Sequence, residues 1–121
     1  MKTGRKTSGG RYKKTKKKKQ TGRQGQTRIV KIGNEKKKLL SGRGNTTKTV
    51  SFLNNVANII VKGKSEKSTI KNVIETPANT FLARQNILIK GAIIETELGK
   101  AKITNRPSQE GNIQAEILAQ E

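Results

Sequence analysis

The chain has 121 residues, enough for one domain, and carries 27 Lys or Arg against 8 acids, a net charge of +19. Cys and His are both absent, which excludes disulfides, Cys or His metal ligands and every nucleophile–imidazole pair. Aromatic residues are limited to Tyr12, Phe52 and Phe81, so any core rests on Ile, Val, Leu and Ala.

The charge is unevenly placed. Residues 1–48 hold 18 of the Lys and Arg and a single acid, Glu35, while residues 49–121 hold 9 Lys or Arg and 7 acids. Residues 1–26 contain 11 Lys or Arg and no Asp, Glu, Ile, Leu, Val or Phe. Such a segment buries too little apolar surface to offset its ordering entropy. It reads as a basic, intrinsically disordered arm, with 27–121 as the folded domain. The block Lys13-Lys14-Thr15-Lys16-Lys17-Lys18-Lys19 is a self-repelling run typical of an interaction tail. No apolar h-region marks a secretory signal, and no apolar run reaches the roughly 18 residues of a bilayer span.

From Thr27 the texture changes. Thr27 to Ile32 predicts a short strand ended by Gly33-Asn34. Residues 35–48 read as a polar stretch with Leu39-Leu40 as the only apolar anchor and a loop at 41–45. Thr49 to Leu53 and Val56 to Val61, rich in β-branched residues, predict strands separated by a turn at Asn54-Asn55. Lys62-Gly63-Lys64 closes the second, and Ser68 to Glu75 predicts another. Pro77 to Gln85 suits one helical turn capped by Thr76. Ile87 to Thr96 reads as a long apolar strand with a bend at Gly91, and Leu98-Gly99 as a turn to Lys100–Asn105. Asn112 to Leu118 is the last strand, after a loop at Arg106-Pro107 and Gly111. The fold class expected is mainly β: a small antiparallel β-barrel-like domain, since closure removes exposed strand edges.

Catalytic chemistry finds little support. Glu95 and Glu97 share a face if their strand runs on, but a hairpin face beside Lys100 and Lys102 explains them without an acid–base site. Gly42-Arg43-Gly44 matches neither phosphate-loop pattern. No enzyme, cofactor, metal or small-molecule substrate is expected. Phosphate neutralisation by Lys and Arg gives affinity without sequence readout, and a flexible arm orders as it binds RNA. The candidate RNA contacts on the arm are Arg5, Lys6, Arg11, Tyr12, Lys13, Lys14, Lys16, Lys17, Lys18, Lys19 and Arg23. Tyr12 beside Arg11 offers a ring for an unpaired base. In the domain the candidates are Arg28, Lys31, Arg43, Lys48, Arg84 and Lys90, with a row at Lys100, Lys102 and Arg106. Strand periodicity sets that row opposite Ala101, Ile103 and Asn105.

Specific strings then stand out. They are Gly9-Gly10-Arg11 before the Lys run, Gly22-Arg23, Thr27 to Gly33, Pro77-Ala78-Asn79, Asn86-Ile87, Lys90 to Thr96, Leu98-Gly99-Lys100-Ala101 and Arg106-Pro107. Through them the chain resembles the small-subunit ribosomal protein family called eight-e, found in archaea and eukaryotes. Its compact length is similar to the archaeal form, because eukaryotic members carry a long insertion. Gln85, Gln20-Thr21 and the loop from Ser41 to Asn45 depart from the family pattern. The resemblance implies a β-barrel-like domain and a basic extension, both contacting small-subunit ribosomal RNA beside neighbouring ribosomal proteins in the cytoplasm. The alternative is a basic architectural protein acting on DNA, which would favour an apolar wedge on an exposed arm or a dimer interface. A membrane-active peptide would need apolar residues interleaved with the charge, and residues 1–26 lack them.

Overall fold

The computed structural model of the chain describes residues 4–12, 17, 19–22 and 27–118. Among these residues, seven strands and one helical turn follow a single-turn 3-10 segment at Gln20–Gly22. Strands β1 (Lys36–Ser41) and β2 (Thr47–Leu53) form a two-stranded antiparallel hairpin. Strands β3 (Val56–Val61), β4 (Lys64–Glu75), β5 (Ile93–Thr96), β6 (Gly99–Ile103) and β7 (Gln114–Ile117) close into a barrel in that order. Helix α1 (Thr80–Ala83) lies in the connection from β4 to β5.

The turns carry the connectivity. Lys62 and Gly63 have φ of 47° and 82°, the left-handed pair of a two-residue hairpin whose twist matches its strands. Val61 therefore pairs with Lys64, and β3 runs antiparallel to β4. Between β5 and β6, Thr96 pairs with Gly99, and the Thr96 hydroxyl donates to the Gly99 carbonyl at 2.8 Å. Strand β4 is a corner: Lys64–Thr69 pairs with β3, whereas Ile70–Glu75 pairs with β5 through two register shifts. Its buried positions record the first shift. Ser68 and Ile70 are two apart, but the next buried residue is Val73. A strand that gains a residue this way bends and twists more strongly, which a five-stranded closure requires.

One pairing departs from the antiparallel expectation. The barrel closes where β7 meets β3 in parallel, Asn58 opposite Gln114 and Ile60 opposite Glu116. The loop from Thr104 to Ile113 brings the chain back in the direction that makes this possible, anchored by Asn105. The Asn105 amide donates to the Asn112 carbonyl at 2.7 Å and to Glu110 at 3.0 Å, and its oxygen accepts from the Gln114 N–H at 3.0 Å. Asn105 is buried, and these bonds satisfy it.

The core is aliphatic, as the composition requires. Ala57, Ile59, Ile70, Val73, Ile94, Ala101, Ile103 and Ala115 come from the barrel strands, and Val30, Leu88, Ala92 and Ile113 from the connections complete the cluster. Alanines at full burial on β3, β6 and β7 leave room for the isoleucines beside them, the small–large alternation of a narrow barrel.

Four other expectations are corrected. Residues 27–32 form no strand: Lys31 makes only isolated bridges, to Leu53 and to Ile87. The segment is held extended because the Lys31 N–H donates to the Phe52 carbonyl at 3.0 Å and the Leu88 N–H donates to the Val30 carbonyl at 2.8 Å. The polar stretch at 35–48 contains strand β1 and the start of β2, its state imposed by pairing rather than pattern. The cap of α1 is Asn79, which accepts from the Phe81 N–H at 3.1 Å; the Thr76 hydroxyl donates to the Asn79 carbonyl instead. The apolar run from Ile87 is broken at Gly91, φ 82°, so β5 begins only at Ile93.

Candidate nucleic-acid interface

Most of the candidate basic residues fall into three groups. On the arm, Gly9 at φ 79° lets residues 6–10 fold back, with the Lys6 N–H donating to the Gly10 carbonyl at 2.8 Å and the Gly9 N–H to the Lys6 carbonyl at 2.9 Å. Arg5 and Arg11 face each other across this turn. The Lys6 ammonium lies 5.7 Å from the centre of the Tyr12 ring, a cation–π contact on an exposed aromatic. Lys17 and Lys19 are exposed. Lys13, Lys14, Lys16, Lys18 and Arg23 lie outside the described residues.

The second group surrounds the β1–β2 hairpin. Lys36, Lys37 and Lys38 are consecutive and exposed, and Lys31 joins them where residues 29–31 run along the end of β2. The Lys37 ammonium is committed to Glu35 and to the Asn112 side chain. That is the only ion pair within 4 Å among the described residues. Lys31, Lys36 and Lys38 have no such partner there. Lys48, on β2, binds the Gln109 side chain. Arg43 is exposed at the hairpin tip, where Gly44 and Asn45 take φ of 67° and 60°. The glycines of this loop thus build a turn. Arg28 is half-buried, and its Nε has no hydrogen-bond partner among the described residues.

Contacts to the barrel hold the hairpin in place. The Ser51 N–H donates to the Pro107 carbonyl at 3.2 Å. Gly111 packs so tightly against β2 that a Cβ there would stand 2.7 Å from Thr49 Cγ2.

The third group is the β6 row. Lys100, Lys102 and Arg106 are exposed and Ala101, Ile103 and Asn105 buried, so the expected division of faces holds. The register adds two acids to the exposed face: Glu95 stands opposite Lys100 on β5, and Glu116 opposite Lys102 on β7. Glu97 sits in the β5–β6 turn. Arg84 caps the C-terminus of α1, and Lys90 is exposed just before the Gly91 bend. Sequence reasoning did not count Lys36 and Lys38 among its candidates, although they line one cleft with Lys31. Their signal was their place in the basic part of the chain with no acid nearby except Glu35.

A family model described as ribosomal protein S8e matches residues 1–118. The small ribosomal subunit protein eS8 of Haloarcula marismortui is 39% identical over 114 residues, covering 94% of this chain and 93% of its own. The protein of that name from Methanocella arvoryzae is 41% identical over 122 residues, covering 98% and 96%. The one from Methanosphaera stadtmanae is 40% identical over 116 residues, covering 94% and 92%. The chain therefore belongs to the ribosomal protein S8e family, and it is a structural protein of the small subunit in the cytoplasmic ribosome rather than an enzyme.

Proposed function

We propose that the protein binds small-subunit ribosomal RNA through two surfaces, the basic arm at 1–26 and the lysine-lined hairpin of the β-domain. The observation that carries this reading is the grouping of Lys31, Lys36 and Lys38 around one cleft, exposed and with no acid opposite them in the strand register. Three ammonium groups held together repel one another in the free protein. Phosphates remove that repulsion and release their own counterions. The β6 row contributes less, because Glu95 and Glu116 offset two of its three cations.

The arm adds electrostatic affinity without adding core. All its described residues are exposed, and a turn closed by two backbone hydrogen bonds is marginal in water. Its order comes from RNA, which its arginines engage bidentately and its lysines as point charges.

The test compares the full chain with a variant lacking residues 1–24, on folded small-subunit ribosomal RNA and on duplex DNA at equal salt. The full chain favours the ribosomal RNA. Truncation flattens the salt dependence by about 0.7–0.9 in log–log slope for every phosphate that the arm neutralises. Equal affinity for duplex DNA would favour an architectural DNA-binding role. An unchanged slope after truncation would remove the arm from the interface.

A further inference from the structure

We infer that the cleft between the β1–β2 hairpin and residues 29–31 holds an unpaired RNA nucleotide, its base on Phe52 and its flanking phosphates on Lys31, Lys36 and Lys38. The inference rests on the RNA-binding reading above and names what one part of that surface takes. The cleft has a volume of about 460 Å³, within the roughly 300–1,000 Å³ of small-ligand sites. Its floor is apolar: Phe52 and Leu53 at the end of β2 are half-buried, and Ile29 is 48% exposed.

The combination restricts the occupant. A bare phosphate would meet the lysines and leave the apolar floor wet. A purely apolar partner would cover the floor and desolvate three ammonium groups with nothing to pair them, which is costly. A nucleotide meets both demands, because its base has an apolar π-face and its phosphates lie on either side. Stacking of a base on an aromatic ring is tolerant of sequence and needs no hydrogen bond. A base paired within a helix cannot enter, so the occupant comes from a loop, a bulge or an end. The floor is held in place from behind, since the Phe52 carbonyl accepts from the Lys31 N–H and the Lys31 carbonyl accepts from the Asn54 N–H at 3.1 Å. The ring therefore sits on backbone fixed to the 29–31 wall of the cleft.

The test uses the full chain and two labelled probes: a single-stranded oligouridylate and the same strand with abasic riboses, which keeps every phosphate. The parent protein binds the base-bearing strand more tightly by roughly 5- to 150-fold, the range expected for one stacked base. Phe52→Leu, which keeps an apolar floor, brings that ratio down and leaves the abasic affinity unchanged. Phe52→Trp retains the preference, so a folding defect in the leucine variant cannot mimic the result. Lys36→Gln with Lys38→Gln weakens both probes equally. A ratio near one in the parent would overturn the inference. So would a ratio that survives Phe52→Leu and disappears in Tyr12→Leu, which would move the stacked base to the arm. Displacement of the oligouridylate by a Glu- and Leu-rich peptide at lower concentration would give the cleft to a protein neighbour instead. Any of these results, with binding to small-subunit RNA intact, would leave the broader reading standing. Loss of all RNA binding by the parent would end both.

Discussion

Removing charge from the hairpin should matter far more than removing the same charge from strand β6. The two triple variants are Lys31→Gln, Lys36→Gln and Lys38→Gln against Lys100→Gln, Lys102→Gln and Arg106→Gln. Each deletes three exposed cations. Neither set has an ion-pair partner within 4 Å among the described residues, but the hairpin lysines face Leu53 and Val50 in the strand register rather than acids, so all three charges are available to phosphates. At about 0.7–0.9 for each phosphate neutralised, deleting them lowers the salt slope by about 2–3. Over the fourfold range from about 50 to 200 mM salt, that variant loses about 20- to 40-fold less affinity than the parent. In the β6 set, Lys100 and Lys102 stand opposite Glu95 and Glu116, at Cβ separations of about 4.5–5.5 Å. Only Arg106, in the loop beyond β6, has no acid set opposite it by the register, and the slope should fall by about 0.7–0.9. Neither set should disturb folding. Exposed cross-strand pairs contribute at most about 1 kcal/mol each, and relieving the lysine cluster removes repulsion. The assay is affinity for small-subunit ribosomal RNA over a salt series, with thermal unfolding alongside. Equal falls in slope from the two sets, or a larger fall from β6, would refute the reasoning.

Three further outcomes follow from the same geometry. Gly111→Ala pushes a Cβ into Thr49 and should cost about 1–3 kcal/mol of stability, with Thr49→Ser recovering part of it in a double-mutant cycle by thermal unfolding; an unchanged Tm would mean that the loop does not press on the hairpin. Asn105→Ala leaves the Gln114 N–H and the Asn112 carbonyl unpaired beside the parallel closure, at about 1–3 kcal/mol. Its Tm should fall by about 4–8 °C for each kcal/mol in a domain of this size, and no fall would show that water replaces the side chain. Amide exchange of the free protein should find no protection over residues 4–12 and strong protection at Ile59, Ile94 and Ile103, in the barrel core; slow exchange on the arm would contradict its dependence on RNA for order.

Much of the domain was legible where side chains obey local rules. Strand β3 was read to the residue, because its β-branched run ends at a Lys-Gly turn of unambiguous hairpin chemistry. The faces of β6 followed from alternation alone. Strand β1 was not legible: Lys36-Lys37-Lys38-Leu39-Leu40 has no period of two, and only pairing with β2 makes it a strand. The reverse error occurred at 27–32, where an apolar run looked like a strand but serves as a single extended connection between β2 and Leu88. The parallel closure was hidden because it depends on the path of the 104–113 loop, set by the hydrogen bonds of Asn105 rather than by strand composition. For the site, the charge asymmetry pointed to a polyanionic partner but did not single out the cleft in the domain. The cleft joins Ile29, Lys31, Lys36, Lys38 and Phe52 from three separate segments, and no local pattern announces such a meeting.

The most direct measurement of the central claim is crosslinking within assembled small subunits: ribosomes from cells expressing tagged protein, separated by sedimentation, irradiated, and mapped for peptide–RNA adducts. The account predicts that the protein travels with the small subunit and that adducts on its ribosomal RNA concentrate on the arm at 1–26 and on the segments bearing Lys31, Lys36, Lys38 and Phe52, with few on Lys100 and Lys102. Co-sedimentation with adducts confined to the β6 face, or association through proteins with no RNA adduct on the arm or hairpin, would contradict it.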